Sequence, residues 1–107
     1  MPRAQKLITQ ELARKFKKFP LRSQDGKGEA AEVVVKFFNP YGAGTWLITE
    51  GEQMENGDWE LFGMCHITDW EWGYVYLSQL EGLPKKFGAQ AIERDICPPK
   101  TVGEGMR

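Results

Sequence analysis

Cysteine and histidine are the side chains of this 107-residue sequence that could supply a nucleophile and a base, and they are few. The cysteines are Cys65 and Cys97, and the one histidine, His66, directly follows Cys65. Neighbouring residues of a β-strand point to opposite faces, so Cys65 and His66 cannot act as a nucleophile–base pair with each other. Two distant cysteines and one histidine also lack the spacing of a zinc site. We therefore expect no catalytic residue, metal or cofactor.

Carboxylates are concentrated between residues 50 and 81, which contain eight acidic residues and no Lys or Arg. A pair of carboxylates can hydrolyse a glycosidic bond, and a group of them can hold a hard metal ion. No Asp-x-Asp-x-Asp-Gly loop is present. We predict a solvated acidic face, with a partner-binding face as the alternative and a carboxylate-dependent hydrolase as the least favoured interpretation. The eight residues are Glu50, Glu52, Glu55, Asp58, Glu60, Asp69, Glu71 and Glu81.

Aromatic residues crowd the same part of the chain. They are Trp59, Trp70, Trp72, Tyr74 and Tyr76. Alternating rings could stack on bases or sugars. Asp69 and Glu71 lie among them with no basic residue nearby in sequence, which works against binding a phosphate backbone. We therefore predict that these rings pack in the core or at an interface.

Basic residues concentrate near the N-terminus, where residues 1–36 contain nine Lys or Arg and four Asp or Glu. Arg14 to Lys18 reads RKFKK. This segment could contact nucleic acid or an acidic protein, or it could form a solvated helix face over an apolar stripe. After Lys36 the next basic residue is Lys85, so we expect an electrically lopsided molecule.

A glycine-rich phrase, FFNPYGAGTW at residues 37–46, could be a phosphate-binding loop or a turn. It lacks the third glycine of a dinucleotide-binding loop and the Gly-Lys-Ser/Thr of a P-loop. It also joins two predicted strands, so no helix N-terminus would be present to hold an anion. Asn39-Pro40 begins a turn, and Gly42 and Gly44 permit a positive φ. We predict a chain-reversing turn, in which an exposed Tyr41 would join a binding face.

Helical periodicity predicts an amphipathic helix at about residues 8–19. Thr9 is a suitable N-cap, Glu11 is an acid in the first turn where the helix dipole favours it, and Pro20 ends the helix. The apolar stripe consists of Ile8, Leu12, Phe16 and Phe19.

Four segments alternate as β-strands do, and a fifth strand is predicted near residues 89–94. Short connections between consecutive strands favour an antiparallel meander. Ser78 followed by Glu81 matches a capping box, so a short second helix is predicted near residues 79–83. In the first segment, one face is expected to carry Ala31, Val33, Val35 and Phe37. The four segments are AAEVVVKFF (30–38), TWLITE (45–50), WELFGMCHI (59–67) and GYVYL (73–77).

The composition, 41% hydrophobic and 27% charged, is that of a globular protein. We predict one α+β domain over residues 1–97, in which the N-terminal helix packs on an antiparallel meander sheet of four to five strands, and a flexible tail over residues 98–107. No apolar run approaches the roughly 18 residues of a membrane span, and the N-terminus lacks a signal-peptide pattern. We therefore expect a cytoplasmic protein with two free thiols and no membrane contact, whereas an oxidising compartment would allow a Cys65–Cys97 bridge.

Four phrases follow one another along the chain: KFFNPYGAGTW (36–46), LFG (61–63), GYVYLSQLE (73–81) and FGAQAIERD (87–95). With them the chain resembles, over about Leu7 to Ile96, a small domain-of-unknown-function family carried on plasmids, phages and integrative elements. Members of that family typically have an acidic or Glu-Leu pair just before the GY phrase, where this chain has TDWEWGY. The resemblance implies a cytoplasmic protein of a mobile element and brings no enzymatic activity with it.

The charge asymmetry and the aromatic residues lead us to expect a non-enzymatic interaction protein, and the resemblance implies that it binds a host protein or protein complex. An anti-CRISPR or other anti-defence inhibitor is the concrete form of this hypothesis. The alternative is an accessory protein of plasmid or phage replication that binds nucleic acid through the basic N-terminal helix. The candidate partner-binding residues are Arg14, Lys17, Lys18, Tyr41, Asp69, Trp70, Glu71 and Trp72.

Overall fold

A five-stranded antiparallel sheet organises the structure, a computed structural model that describes residues 7–82 and 92–107. The strands are β1 (Val35–Phe38), β2 (Thr45–Gln53), β3 (Trp59–His66), β4 (Trp70–Tyr76) and β5 (Glu93–Arg94). Their order across the sheet is β4-β3-β2-β1-β5. Short turns join the first four strands into a meander. The predicted α+β class with an antiparallel meander is therefore confirmed; residues 89–91 of the predicted last strand lie outside the described residues.

Short helices accompany the sheet. The α-helices in the described part of the chain are α1 (Gln10–Phe16), α2 (Leu77–Glu81) and α3 (Val102–Met106), and a 3₁₀ turn spans Gly28–Ala30. Helix α1 begins as predicted, because the Thr9 hydroxyl accepts the Leu12 N–H at 3.2 Å. It ends earlier than predicted, because the backbone N–H groups of Lys18 and Phe19 bond three residues back, which tightens the last turn before Pro20.

Asp58, in the turn before β3, holds helix α2 in place. Ser78 donates both its backbone N–H, at 3.0 Å, and its hydroxyl, at 2.6 Å, to the Asp58 carboxylate. The Ser78 hydroxyl above all lowers the pKa of Asp58. The sequence predicts Ser78 as the N-cap, whereas the helix begins at Leu77 and Gln79 accepts the Tyr76 N–H. Residue 83 of the predicted second helix lies outside the described residues.

Two apolar cores lie on the two sides of the sheet, because side chains alternate along each strand. On the first side, α1 and α2 cover the strands with Phe16 and Leu80. On the second side, α3 contributes Val102. The first core contains Leu7, Ile8, Phe16, Val34, Val35, Phe37, Trp46, Ile48, Trp59, Leu61, Leu80 and Ile92. The second core contains Ala31, Val33, Leu47, Met64 and Val102.

The segment that leads into β1 changes sides at Val34. Ala31 and Val33 lie in the second core, whereas Val35 and Phe37 lie in the first. The prediction that these four residues share one face is therefore wrong. Strict alternation holds only within a continuous strand, and the chain bends at Val34 before β1 begins.

The C-terminal residues are structured where the sequence predicts a flexible tail over residues 98–107. The Lys100 carbonyl accepts the Val33 N–H at 3.0 Å, and the Val102 N–H donates to the Ala31 carbonyl at 3.0 Å. Helix α3 follows, with Val102 fully buried. Two glycines among five helical residues disfavour a helix, but Thr101 caps it, since its hydroxyl accepts the Glu104 N–H at 3.2 Å. This cap and the long-range contacts together hold the helix.

The phrase FFNPYGAGTW forms the predicted turn between β1 and β2. The Asn39 N–H donates to the Gly44 carbonyl at 2.9 Å, and the Asn39 side chain accepts the Tyr41 N–H at 2.9 Å. Gly44 has a φ of +134°, which glycine adopts without strain. Phe37 pairs with Trp46 across the hairpin, and both are buried. The phrase therefore reverses the chain, as predicted.

A β-bulge in β2 moves Glu50 to the second side of the sheet. The register with β3 shifts between Ile48 and Glu50, so Thr49 is the additional residue. Glu50 is 2% exposed, and its carboxylate accepts the backbone N–H groups of Arg22 and Gln24. The loop after α1 is thereby bound to the centre of the sheet.

The Gln24 side chain continues this buried polar network. Its amide nitrogen donates to the carbonyls of Glu32 and Thr49, each at 2.8 Å, and its amide oxygen accepts the Glu32 N–H at 2.7 Å. Because each of these buried groups is paired, the network costs little desolvation energy and fixes the position of the loop.

Gly63 in β3 and Gly73 in β4 face each other, yet they should respond differently to alanine. A Cβ at Gly63 would overlap with the Leu47 carbonyl, whereas a Cβ at Gly73 would meet nothing within 4 Å. We expect Gly63→Ala to lower the free energy of unfolding by about 3 kcal/mol. Gly73→Ala should change it by less than about 1 kcal/mol. Urea denaturation checks both values, and equal losses would contradict the close approach at Gly63.

Removing the Glu50 carboxylate should loosen the loop after α1. We expect Glu50→Ala to lower the free energy of unfolding by about 2–4 kcal/mol. The reason is that the backbone N–H groups of Arg22 and Gln24 lose their charged acceptor, and the Gln24 bond is buried. Glu55→Ala, at an exposed position of the next turn, is the control and should cost less than about 0.5 kcal/mol. Hydrogen exchange should accelerate at the Arg22 and Gln24 amides of the Glu50 variant. Unchanged exchange there would show that the loop does not depend on Glu50.

Candidate interaction surface

Strand β4 presents an aromatic side chain at every second position. The register between β3 and β4 pairs Trp70 with His66, Trp72 with Met64, Tyr74 with Phe62, and Tyr76 with Glu60. Because Met64 belongs to the second core, the pleat places all four β4 rings on the second side of the sheet. On this side α3 contacts β2, and the loop after α1 is bound to Glu50.

The rings of β3 and β4 contact one another. Phe62 stacks on Trp72 with centroids 5.7 Å apart and planes at 8°, and it meets Tyr74 at 4.8 Å and 53°. His66 meets Trp70 at 4.9 Å and 58°. Such cross-strand pairs stabilise a sheet by a few tenths to about 1 kcal/mol each and hold the rings in fixed orientations.

These contacts leave a large part of the aromatic surface in solvent. Tyr74 is 58% exposed, Trp72 is 41% exposed and Tyr76 is 38% exposed. We call the surface formed by Phe62, Trp70, Trp72, Tyr74 and Tyr76 the aromatic face. Trp59, by contrast, lies in the first core with its ring centroid 5.3 Å from that of Phe16. The sequence predicts that the five rings pack in the core or at an interface. Trp59 lies in the core, whereas the other four rings lie on the aromatic face.

A cleft of about 340 Å³ adjoins the aromatic face. Phe62 and Trp72 form one wall, and the loop after α1 forms the other. Thr49 and Glu50 lie between them, and Asp25 stands on the loop. The lining residues are Gln24, Asp25, Gly26, Gly28, Ala31, Thr49, Glu50, Phe62 and Trp72. The cleft therefore combines aromatic walls with acidic groups, and no Lys or Arg is among the described residues that line it.

The acidic residues between positions 50 and 81 do not form one solvated face. Glu50 is buried, Glu52 accepts the Leu21 N–H at 3.3 Å, and Asp58 holds Ser78. The remaining acids are exposed or half-buried at several places: Glu55, Glu60, Asp69, Glu71 and Glu81. Glu60 shares the second side with Tyr76, and Asp69 directly precedes β4, so acids lie beside the aromatic face. Glu71 belongs to β4 but faces the first side.

The basic residues of α1 and of the turn that follows it lie on the other side of the sheet. Arg14, Lys15, Lys17 and Lys18 are exposed, and none pairs with an acid among the described residues. Their helix packs over the first core through Phe16. The structure therefore does not bring Arg14, Lys17 and Lys18 together with the aromatic face.

Two of the predicted site residues occupy turns at the same end of the sheet. Tyr41 is 51% exposed in the β1–β2 turn, and Asp69 is exposed in the β3–β4 turn. Thr45 pairs with His66, and His66 pairs with Trp70, so both turns lie where Trp70 begins β4. Tyr41 and Asp69 thus lie at the same end of the sheet, but the β1–β2 and β3–β4 turns are at different strands.

The other predicted residues of β4 divide between the two sides. Trp70 and Trp72 belong to the aromatic face, whereas Glu71 lies opposite Cys65 and faces the first side. Sequence reasoning did not include Phe62, Tyr74 or Tyr76 among the site residues. The signal was present, because the alternation that buries Leu61 places Phe62 on the opposite side.

Cys65 and His66 point to opposite sides of the sheet, as predicted for neighbours in a strand. The Cys65 side chain packs against the first core, whereas His66 lies against Trp70 on the second side. Burial raises the pKa of the Cys65 thiol to about 11. The thiol is therefore protonated near neutral pH and is not activated as a nucleophile. Both cysteines are free, and Cys97 is exposed.

Alkylation should distinguish the two cysteines. A pKa of about 11 instead of 9.0 leaves Cys65 with about 100-fold less thiolate at pH 7.5. We expect iodoacetamide to modify Cys97 in the native protein while Cys65 reacts at least about 100-fold more slowly. Mass spectrometry of the peptides gives both rates. In urea the two rates should become similar, and similar rates in the native protein would contradict the position of Cys65.

Residues 7–101 match the model of a family described as "Protein of unknown function (DUF2958)". A search of curated proteins found no match, and a search of solved structures found none. Within residues 7–82 and 92–107, every helix falls short of the length and hydrophobicity needed to cross a bilayer. The same residues contain no group of three His, Cys, Asp or Glu side chains placed to hold a metal ion.

Proposed function

The chain belongs to the DUF2958 family, and we propose that it is a non-enzymatic interaction protein that binds another macromolecule through the aromatic face. The observation that supports this proposal is the exposure of Trp72, Tyr74 and Tyr76 in one row. Contiguous exposed apolar surface on a small protein commonly marks a binding site. Trp and Tyr are also the residues that most often dominate binding energy at protein interfaces.

The fixed geometry of the aromatic face favours binding without a large entropy cost. Phe62 stacks on Trp72 and contacts Tyr74, so these rings are already ordered before a partner arrives. Preorganised side chains lose less conformational freedom on binding. The face can therefore serve as a rigid platform for a partner.

The charge around the aromatic face favours a basic partner. Residues 50–81 contain eight acids and no Lys or Arg. Glu60 and Asp69 lie beside the exposed rings, and Glu71 of the same strand faces the opposite side of the sheet. Opposite charge on a partner speeds encounter, whereas a phosphate backbone would be repelled. We propose a protein partner with Lys and Arg at its surface.

We further propose that the chain acts for a mobile genetic element and that its partner is a host protein or protein complex. The phrases that resemble a plasmid, phage and integrative-element family support this setting. A protein that uses basic surface to hold nucleic acid is a fitting target, because an acidic and aromatic ligand can occupy such a surface. An anti-CRISPR or other anti-defence inhibitor would act in this way, and the compartment would be the cytoplasm.

A carboxylate-dependent hydrolase has weaker support. Glu50 lines the cleft, but the backbone N–H groups of Arg22 and Gln24 bind its carboxylate. A carboxylate used as a fixed acceptor in this way is poorly placed to donate a proton to a leaving group. Attachment of the loop after α1 to the sheet is a sufficient structural explanation for the position of Glu50.

Pull-down from host lysate tests the proposal with two surface variants. We expect Trp72→Ala/Tyr74→Ala to retain the fold by circular dichroism and to bind the partner about 30-fold more weakly, because central aromatic residues dominate interfaces. The charge-reversed variant Arg14→Glu/Lys17→Glu/Lys18→Glu should recover the same partner as the wild type, since α1 lies on the opposite side. Mass spectrometry identifies the bound proteins.

Recovery of the same proteins by the wild type and the aromatic variant would contradict the proposal. The accessory nucleic-acid-binding function remains the second candidate, supported by four exposed basic residues in Arg14–Lys18. If this second candidate is correct, the same experiment should recover nucleic acid with the chain. The amount recovered should fall with added salt and should be lost in the charge-reversed variant only.

A further inference from the structure

We infer that the outer edge of β4 binds an extended, Lys- or Arg-bearing segment of the partner protein as an additional strand. This inference rests on the proposed function and names the form that the partner takes at the aromatic face. The observations that carry it are the geometry of an unprotected sheet edge and the charge of the side chains that flank it.

Strand β4 is the last strand on its side of the sheet. No strand among residues 7–82 and 92–107 pairs with its outer edge, so one row of backbone N–H and C=O groups points away from β3. Natural proteins protect such edges with charged side chains, especially Lys, or with Pro, bulges or short length. Trp70–Tyr76 contains neither Lys nor Pro, its register with β3 has no shift, and its one charged residue is Glu71.

The opposite edge of the sheet shows the contrast. Strand β5 is two residues long, and next to it Lys36 pairs with Asp95 at 3.8 Å. A short, charged edge offers little template for another strand. The difference between the two edges indicates that β4 is suited to accept a strand.

The side chains of β4 suit a basic segment in particular. In a paired strand every second residue would lie beside Trp72 and Tyr74, where the alkyl stem of a Lys or Arg can cover the rings and its charge can contact their faces. On the other side of the sheet, Glu71 is available for a salt bridge, and the open space beside Gly73 can receive a side chain. Both sides of the edge therefore favour positive charge.

Two other occupants fit less well. A second copy of this chain, paired edge to edge, would bring two acidic segments together, each with Asp69 and Glu71 and neither with a basic residue. A nucleic acid strand would place phosphates beside the same carboxylates. Charge complementarity thus selects a basic peptide segment.

Short synthetic peptides test the inference on the intact, isotope-labelled chain. The first peptide, about nine residues long to span β4, alternates Lys with Thr; the second has Glu at each Lys position, and the third has Pro at its centre. We expect the Lys peptide at about 1 mM to shift amide signals chiefly within residues 70–76 and to slow amide exchange there. The Glu peptide should cause no shift, and the Pro peptide should bind at least about fivefold more weakly.

A matched pair of variants checks the role of charge at the edge. Glu71→Lys should weaken binding of the Lys peptide about tenfold, whereas Glu55→Lys, which makes the same change of charge in the turn between β2 and β3, should leave it unchanged. Equal weakening by both variants would indicate a long-range charge effect and would overturn the assignment to this edge.

Several other results would overturn the inference. They are absence of binding at about 1 mM, equal binding of the Lys and Pro peptides, and shifts centred on α1. Concentration-dependent shifts of β4 without peptide would assign the edge to a second copy, and shifts of β4 with single-stranded DNA would assign it to nucleic acid. If the peptides fail while the aromatic variant still loses its partner in the pull-down, the proposed function stands and the strand-addition inference falls.

Discussion

The bulge in β2 determines on which side of the sheet each later side chain of that strand lies. In a regular strand without the bulge, Glu50 would point to the same side as Ile48 and would place a carboxylate in the first core, at a high cost in desolvation. With it, Glu50 faces the second side and accepts the N–H groups of Arg22 and Gln24. The same shift brings Gly51 against Phe16, so that α1 can approach the sheet closely. One local irregularity thus positions both the helix and the loop that follows it.

The aromatic face exists because the second side of the sheet has less cover than the first. Helices α1 and α2 cover the first side, whereas α3 is five residues long and covers Leu47 and its surroundings. Trp70 packs against the second core. Trp72 and Tyr74 lie toward the edge of the sheet, where their rings contact Phe62. Their mutual stacking lowers the apolar area that water meets, but it does not remove it. A folded domain that keeps such a row in solvent retains surface that a partner can bury.

Local signals predicted much of this fold, and long-range contacts account for what they missed. The N-cap at Thr9 and the turn closed by Gly44 depend on neighbouring residues, so their chemistry is legible in the sequence. The change of side at Val34 and the helix beginning at Val102 depend on partners far away in the chain. Glu50 illustrates the same limit for the site, because a strand pattern suggests a solvated acid where a bulge and a distant loop bury it. The alternation of aromatic residues in β4 was visible in the sequence. The exposure of their side chains, however, depends on how far the helices extend over the sheet.

The sheet also keeps the two charged regions of the molecule apart. The exposed basic residues of α1 lie over the first core, and the acids that border the aromatic face lie at the β4 edge, so the two groups do not neutralise each other by direct pairing. Separated charge of this kind gives a molecule with a net charge of only −1 a strong local field at each region. A basic partner would therefore be oriented toward β4 and away from α1 before contact. Charge thus favours one edge of the sheet, and the ordered rings at that edge provide the apolar area that binding requires.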